Sequence, residues 1–529
     1  MIDYLIKNAV VVDGSGSPPV EADLAVCGDR ISRVEPGLNE PSAAEIDATG
    51  LVAAPGFIDI HSHTDGVIFK NPIADSKLLQ GVTLEVTGNC GLGSFPVCED
   101  RRDLLLGFLK MHDFHLPEKG LTWKDMTGFA AEVESAGIAV NLAPLVAHGA
   151  LRIAAMGSED RRPRPSEMRA MKDLLGTMLA QGAWGLSTGL IYPPGSYAAT
   201  DELAELASVL AAHGRLYTSH IRGEGATLLD ALDEAVRIGR ASGARVQVSH
   251  LKAMGRVNWG KGQAALDLLE TARQAGVDIA ADQYPYEATQ TTLAVLVPAW
   301  AHAGGVPAML RQLASEDRKR QLRAEVKAAM DDRGGSDRIR ISSVRSDRNR
   351  ALSGRSLQQI AAVWGLPPED TVMRLIVEEE AAVSAVFFSL SEEDLLRILK
   401  NDTVAVGSDG SGLSALDTGA VVHPRSYGAF ARVLGHYVRD RGVLPLAGAV
   451  YKMTGLPARR LGLKDRGLLR AGFMADIVLF DAERVADTAT FEYPHSYPRG
   501  VRLVMVNGKI AAREGRPSGE RAGRVLRAS

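Results

Sequence analysis

Cysteine is scarce: Cys27, Cys90 and Cys98 are the only three in a chain of 529 residues. An odd count with no C-x-x-C pair provides neither a disulfide framework nor a structural zinc knuckle, so a reducing compartment, the cytoplasm, is expected. Charge of one sign is also lacking. A net charge of −4 and a pI near 6.3 leave no electrostatic footprint for nucleic acid. No apolar run approaches the roughly 18 to 20 residues that cross a bilayer. The opening MIDYLIKNAVVVDG alternates apolar with polar residues and carries early acidic ones, so it does not read as a secretory leader. With 46% hydrophobic and 23% charged residues the chain is globular in character. A small molecule is therefore the expected partner, with neither nucleic acid nor membrane.

The length suits a large core domain plus at least one smaller unit. Residues 1–54 hold short strands broken by turns (YLIKNAVVVDG, ADLAVCGDRISRVEP, AEIDATGLVAAPG), and the far end repeats the texture in ADIVLFDAERV and VRLVMVNGKIAAREG. The two ends are expected to pair into one small β-sandwich, 1–54 with 466–529, around a domain at 55–465. Inside that domain, strand patterns occur at 57–63, 82–90, 138–149, 183–190, 215–220, 245–250, 277–286 and 403–410. Between the fifth and sixth, Leu228, Leu229, Leu232, Ala235 and Val236 fall at helical spacing before a glycine. Eight strands alternating with helices predict an α/β fold, a (β/α)8 TIM-like barrel, whose strand ends share one face. The stretch from the seventh to the eighth strand is too long for one helix. Its 287–350 part reads as a lid or substrate-selecting insertion, or else as an excursion without a role.

GFIDIHSHTD poses a question of chemistry. His61 and His63 alternate along an extended chain, so their imidazoles share a face. Alone, H-x-H describes a metal site or two histidines near a strand end. Other strands decide it: His220 and His250 end the fifth and sixth, Cys90 the second and Asp409 the last. Imidazole, thiolate and carboxylate converging on one rim are the donors a zinc site requires. His148 also ends a strand but reads as a hydrogen-bonded structural histidine. Cys98 reads as incidental, and Glu85, inside the second strand, receives no role.

With these segments the chain resembles the D-aminoacylase or N-acyl-D-amino-acid deacylase branch of the amidohydrolase superfamily. The resemblance rests on PGFIDIHSHTD, GVTLEVTGNCG, WGLSTGLIYPPGSYA, YTSHIRGEG, QVSHLKAMG, DQYPYEAT, GSDGSG, HPRSYG and RGLLRAGFMADIVLFD, in that order and over nearly the whole length. It implies a barrel flanked by a sandwich from both ends. Many superfamily members bridge two metals with a carboxylated lysine on strand four. AWGLSTGL has none, and in this branch a strand-two cysteine, matched by Cys90, replaces it. The resemblance implies a tightly held Zn2+ on Cys90, His220 and His250, with His61, His63 and Asp409 forming a second position, weaker or empty. It further implies hydrolysis of an N-acyl-D-amino acid to a carboxylate and a free D-amino acid. In that reaction Asp409 accepts a proton from water and returns it to the leaving nitrogen. Lys252 and Arg425 are expected to meet the substrate α-carboxylate, with Tyr284 and Tyr192 beside them. One departure stands out. Where the family commonly has YPYTASST this chain has YPYEATQT, which puts Gln290 at a position the family uses near the carboxylate. The alternatives are a cyclic amidase of the hydantoinase or dihydroorotase kind, which the missing lysine disfavours, and a metal-free scaffold, which the presence of all six metal-site residues disfavours.

Overall fold

The computed structural model describes residues 1–529, and parallel strands organise it. They are β1 (Phe57–Asp59), β2 (Val82–Thr87), β3 (Asn141–Pro144, resumed at Val146–Ala147), β4 (Gly185–Gly189), β5 (Leu216–His220), β6 (Arg245–Val248), β7 (Ile279–Gln283) and β8 (Val404–Val406). Strands β1, β2 and the first part of β3 form one parallel sheet, and the second part of β3 opens another that runs through β4, β5, β6, β7 and β8. A parallel bridge between Ser62 and Gly410 ties the chain beyond β1 to the chain beyond β8. The architecture is mixed α/β with parallel sheets. Nearly every strand residue is buried, because helices cover the sheets, and this is why the strands read as apolar runs rather than alternations. The helix Leu228–Ser242 shows the local logic. It buries Leu228, Leu232, Ala235 and Val236 on one face, and Gly243, at φ 72°, ends it in a left-handed conformation.

The strands are shorter than their apolar patterns predict. β1 stops at Asp59 and β8 at Val406, where the sequence patterns run on to 63 and 410. Past β2, β6 and β8 the cause is conformational: Cys90, His250 and Asp409 take φ of 55°, 38° and 51°, outside the strand region. Left-handed backbone costs about 1 to 2 kcal/mol for each non-glycine residue, and it turns three polar side chains inward at one end of the sheets.

The insertion is larger than expected. Thr289–Thr292 and Ile339–Val344 both pair antiparallel with Val383–Phe387, so the central strand of this small sheet lies beyond residue 350. Helices Val306–Leu313, Glu316–Asp332, Leu357–Trp364 and Pro368–Glu378 belong to the same excursion.

The two chain ends meet in a single nine-stranded sheet. Its joint is the antiparallel pairing of Val52–Pro55 with Ile477–Phe480, while Val52–Pro55 runs parallel to Ile2–Val11 on its other side. Ile6, Leu24, Ile477 and Met505, all buried, are among the residues that pack this sheet. No helix is long and apolar enough to cross a membrane.

Candidate metal centre

The loop after β2 carries Cys90 to the centre, and β4 allows it to lie there. A Cβ on Gly189 would come within 1.9 Å of the Cys90 carbonyl oxygen, so only glycine fits. Around the Cys90 sulfur two ligand groups form. His61, His63, Cys90 and Asp409 bring their donor atoms within 4.8 Å of one another, and Cys90, His220 and His250 do the same. Cys90 belongs to both groups, where the family resemblance implies it only with His220 and His250. Its Sγ lies 3.3 Å from His61 Nε2 and 3.4 Å from His250 Nε2. Burial pushes the thiol pKa up, yet the imidazoles of His61, His250 and His220 hold it well below its ordinary value. A thiolate, the form that ligates, follows.

Carboxylates set the imidazoles. Asp282 on β7 lies 3.1 Å from His61 Nδ1 and accepts the His250 amide at 2.8 Å and Gln247 Nε2 at 3.0 Å. With Nδ1 donating to Asp282, the His61 Nε2 lone pair is turned toward Cys90 and Asp409. At His250 the arrangement differs: Glu224 stands 3.1 Å from its Nδ1 as an ion-pair partner, and the Lys252 ammonium, which Glu224 also holds, lies closer to the same nitrogen at 2.8 Å. Neither Asp282 nor Glu224 is singled out by the sequence reading. The signal was present: each is an acidic residue in a segment that carries the family resemblance, DQYPYEAT and YTSHIRGEG. His220 is different again. Both its ring nitrogens are buried without a hydrogen-bond partner, an arrangement that costs about 1 to 3 kcal/mol unless something supplies an electrophile.

Asp409 joins the two halves of the site. Its Oδ1 lies 3.0 Å from His63 Nε2 and its Oδ2 accepts Arg425 Nη1 at 2.6 Å. Burial raises the Asp409 pKa, but Arg425 first and then the imidazoles of His250, His63 and His61 hold it well below the usual carboxylate range. The group is therefore ionised at neutral pH.

A cavity of about 420 Å³ opens over these residues, a size that suits a small molecule. Tyr192, Lys252, Gln290 and Arg425 line it. Their states differ from the expectation in three respects. Lys252 is not a free point charge, because Glu224, from the loop after β5, accepts its ammonium at 2.5 Å and both are buried. Arg425 is likewise held by Asp409, and its Nη2 donates to the Gln290 carbonyl at 3.1 Å. Tyr284 lines a small adjoining cavity instead, its ring against Arg425 at 4.9 Å and Lys252 at 5.7 Å, its hydroxyl without a partner. Tyr192 bonds Thr291 Oγ1 at 2.9 Å, and Gln290 Oε1 accepts the His423 amide at 2.7 Å. His148 is paired with Glu202 at 3.1 Å, and Glu85 accepts Thr64 Oγ1 at 2.6 Å beneath the site; neither lines the cavity.

Comparison with known proteins gives consistent relatives. Residues 44–512 match the amidohydrolase family. The D-aminoacylase of Alcaligenes xylosoxydans xylosoxydans is 37% identical over 99% of this chain and 97% of its own. A solved D-aminoacylase with a binuclear metal centre superposes with a TM-score of 0.84 at 36% identity, covering 100% of both chains. The N-acyl-D-glutamate deacylase of Bordetella bronchiseptica, solved with zinc and a phosphonate mimic of the tetrahedral intermediate, superposes with a TM-score of 0.83 at 35% identity, again over 100% of both chains.

Proposed function

The chain belongs to the amidohydrolase family, and from that premise we propose that it is a zinc-dependent deacylase of N-acyl-D-amino acids, cleaving the linear amide to a carboxylate and a free D-amino acid. The observation that carries this reading is the pair of ligand groups sharing Cys90 at the floor of a cavity walled by Asp409 and Arg425. The donors suit zinc: a thiolate, a His61 imidazole set by Asp282, a His250 beside Glu224, and a buried His220 whose ring nitrogens have no hydrogen-bond partner. Cys90, His220 and His250 would hold the tighter ion, and His61, His63 and Asp409, sharing Cys90, a second. Bound there, zinc would lower the pKa of water toward about 7 and polarise the amide carbonyl.

The chain's own groups supply the rest. Asp409, kept ionised by Arg425, takes a proton from the attacking water and passes it to the departing nitrogen. His63 fixes the other carboxylate oxygen, so the acceptor is oriented before substrate arrives. The α-carboxylate is assigned to Arg425, whose guanidinium keeps donors beyond those spent on Asp409 and Gln290, with Lys252 and Tyr284 at its flank and Tyr192 and Gln290 on the cavity wall. A strand-four lysine is absent from Gly185–Gly189, and this favours a linear over a cyclic amide.

We read the eight strands as one (β/α)8 barrel, closure being supported by the Ser62–Gly410 bridge, and the sheet of both ends as a flanking β-sandwich built from 1–54 and 466–529 around 55–465. The excursion after β7 is read as the cavity's lid. Three unpaired cysteines favour a reducing compartment, the cytoplasm.

The test is hydrolysis of paired N-acetyl-D- and N-acetyl-L-amino acids (Met, Leu, Phe, Glu, Asp) by zinc-loaded protein, with Cys90→Ala alongside. Turnover of D substrates only, lost together with bound zinc in the variant, is expected. Turnover of L substrates, or activity that survives the loss of Cys90, would overturn the reading.

A further inference from the structure

The cations around the main cavity are nearly all spoken for. Lys252 is neutralised by Glu224, Arg425 by Asp409, Lys70 by Asp417 and Arg350 by Asp347. His112, which also lines the cavity, is neutral at physiological pH, because burial and then the charges of His63 and His302 push its pKa down to about 3. Arg333 is the exception. It follows the helix Glu316–Asp332 in the excursion, and its guanidinium lines the main cavity and also an apolar one beside it. Its one side-chain hydrogen bond is from Nη1 to the Ala329 carbonyl at 3.0 Å, its charge lies 5.9 Å from the centre of the Phe387 ring, and no carboxylate comes within ion-pairing distance. A guanidinium presents five donors in a planar fork, and one bond to a carbonyl leaves most of them turned to the cavity. Burial lowers its pKa, and the nearby Asp332, Glu224 and Tyr192 offset this only from a distance. A half-buried cation with no carboxylate partner, facing a ligand cavity, is built for an anion.

The α-carboxylate does not account for it. That group is one bond from the carbon bearing the scissile amide nitrogen, so its partner must stand beside the reacting centre. Arg425, held on Asp409, already stands there. Arg333 comes from the excursion rather than from a strand end, in company with Thr292 and Phe387 of the small sheet. We propose that Arg333 binds a second carboxylate of the substrate, carried on the amino-acid side chain or on the acyl group, so that the preferred substrates are dicarboxylic. The proposal rests on the deacylase reading and names its substrate class.

The experiment measures kcat/KM of the zinc-loaded enzyme on two matched pairs: N-acetyl-D-glutamate against N-acetyl-D-glutamine, and N-succinyl-D-leucine against N-butyryl-D-leucine. The first pair places the second carboxylate on the side chain, the second on the acyl group. A preference of about 10- to 100-fold for the acid in at least one pair is expected, the range that charge-assisted hydrogen bonds provide. Arg333→Met, which keeps the stem packed, should bring that ratio to near one, and Arg333→Lys should recover part of it. Absence of an acid preference in both pairs, or a ratio that persists in Arg333→Met while both rates fall together, would overturn the proposal. If no N-acyl-D-amino acid is turned over, the deacylase reading fails, and Arg333 is then tested by binding. Millimolar glutarate should raise the melting temperature more than butyrate does, and this difference should vanish in Arg333→Met. Equal shifts by the two acids would overturn the site itself.

Discussion

Removing the charge of Glu224 should expose how Lys252 is held. The two groups are 7% and 5% exposed and meet at 2.5 Å. Glu224→Gln leaves a buried ammonium with no carboxylate, which by analogy with broken buried pairs costs about 3 to 5 kcal/mol. Lys252→Met should cost less, about 1 to 3 kcal/mol. The orphaned carboxylate keeps His250 Nδ1 at 3.1 Å and His220 Nε2 at 3.7 Å, and either imidazole can take up a proton to compensate it. The double variant removes both charges at once, so it should be no less stable than Glu224→Gln alone. The coupling energy is then at least the Lys252→Met penalty, about 1 to 3 kcal/mol, above the ~0.5 kcal/mol within which independent sites add. Equilibrium urea unfolding of all four proteins measures it, in chelator so that metal binding does not enter the stability difference. Additive penalties would refute the reasoning, because Lys252 would then be a cation that Glu224 does not compensate.

Three further outcomes follow from the site and the strands beneath it. Asp282→Asn removes the negative charge behind His61 Nδ1 and should weaken metal binding at the His61, His63 and Asp409 position by about 10- to 100-fold in chelator competition, and unchanged affinity would refute the orienting role. Gly189→Ala places a methyl group 1.9 Å from the Cys90 carbonyl, forcing the loop to move, so a loss of about 1 to 3 kcal/mol in stability with reduced zinc content is expected. Full zinc stoichiometry in that variant would show that the loop adapts freely. Lys452 donates to the carbonyls of Asn401 and Val404 at the start of β8, and burial holds its pKa down to about 8. Between that value and about 10.4 the unfolded chain binds more protons than the folded one, so this lysine makes stability rise with pH across the window, by about 3 kcal/mol in all. Lys452→Met should flatten the rise, and equal slopes in the two proteins would refute it.

Much of the framework was legible because strands buried on both sides leave continuous apolar runs, and these runs end in residues that do not belong in a core. His220 and His250 are visible for that reason. What escaped depends on partners brought together only by folding. Asp282 meets His61 across 221 positions of sequence, and nothing local marks it as the group that orients an imidazole. Spacing puts Lys252 on the face of His250, but it does not reveal that Glu224, 28 positions earlier, arrives to neutralise it. The insertion's reach was underestimated for a similar reason. Val383–Phe387 is the middle strand of its small sheet, and pairing with Ile339–Val344 is a long-range choice that no turn signal announces. Cys90, assigned by resemblance to one ligand group, serves both because the left-handed turn after β2 centres its sulfur.

The joint between Val52–Pro55 and Ile477–Phe480 has a consequence for the newborn chain. The amino-terminal strands can assemble among themselves as soon as they leave the ribosome, since Ile2–Val11 pairs with Val20–Cys27, Ser42–Asp47 and Val52–Pro55. The outer edge of Val52–Pro55 then has to wait for a partner encoded more than 400 residues later. At about 5 to 20 residues per second that is roughly 20 to 80 s of translation. For that interval an apolar strand with unpaired amides and carbonyls is a template for any other strand it meets. Synthesis of Ile477–Phe480 thus decides when Val52–Pro55 becomes safe, and a ribosome that stalls just before it leaves a polypeptide whose metal ligands have all been made but whose earlier edge is still open.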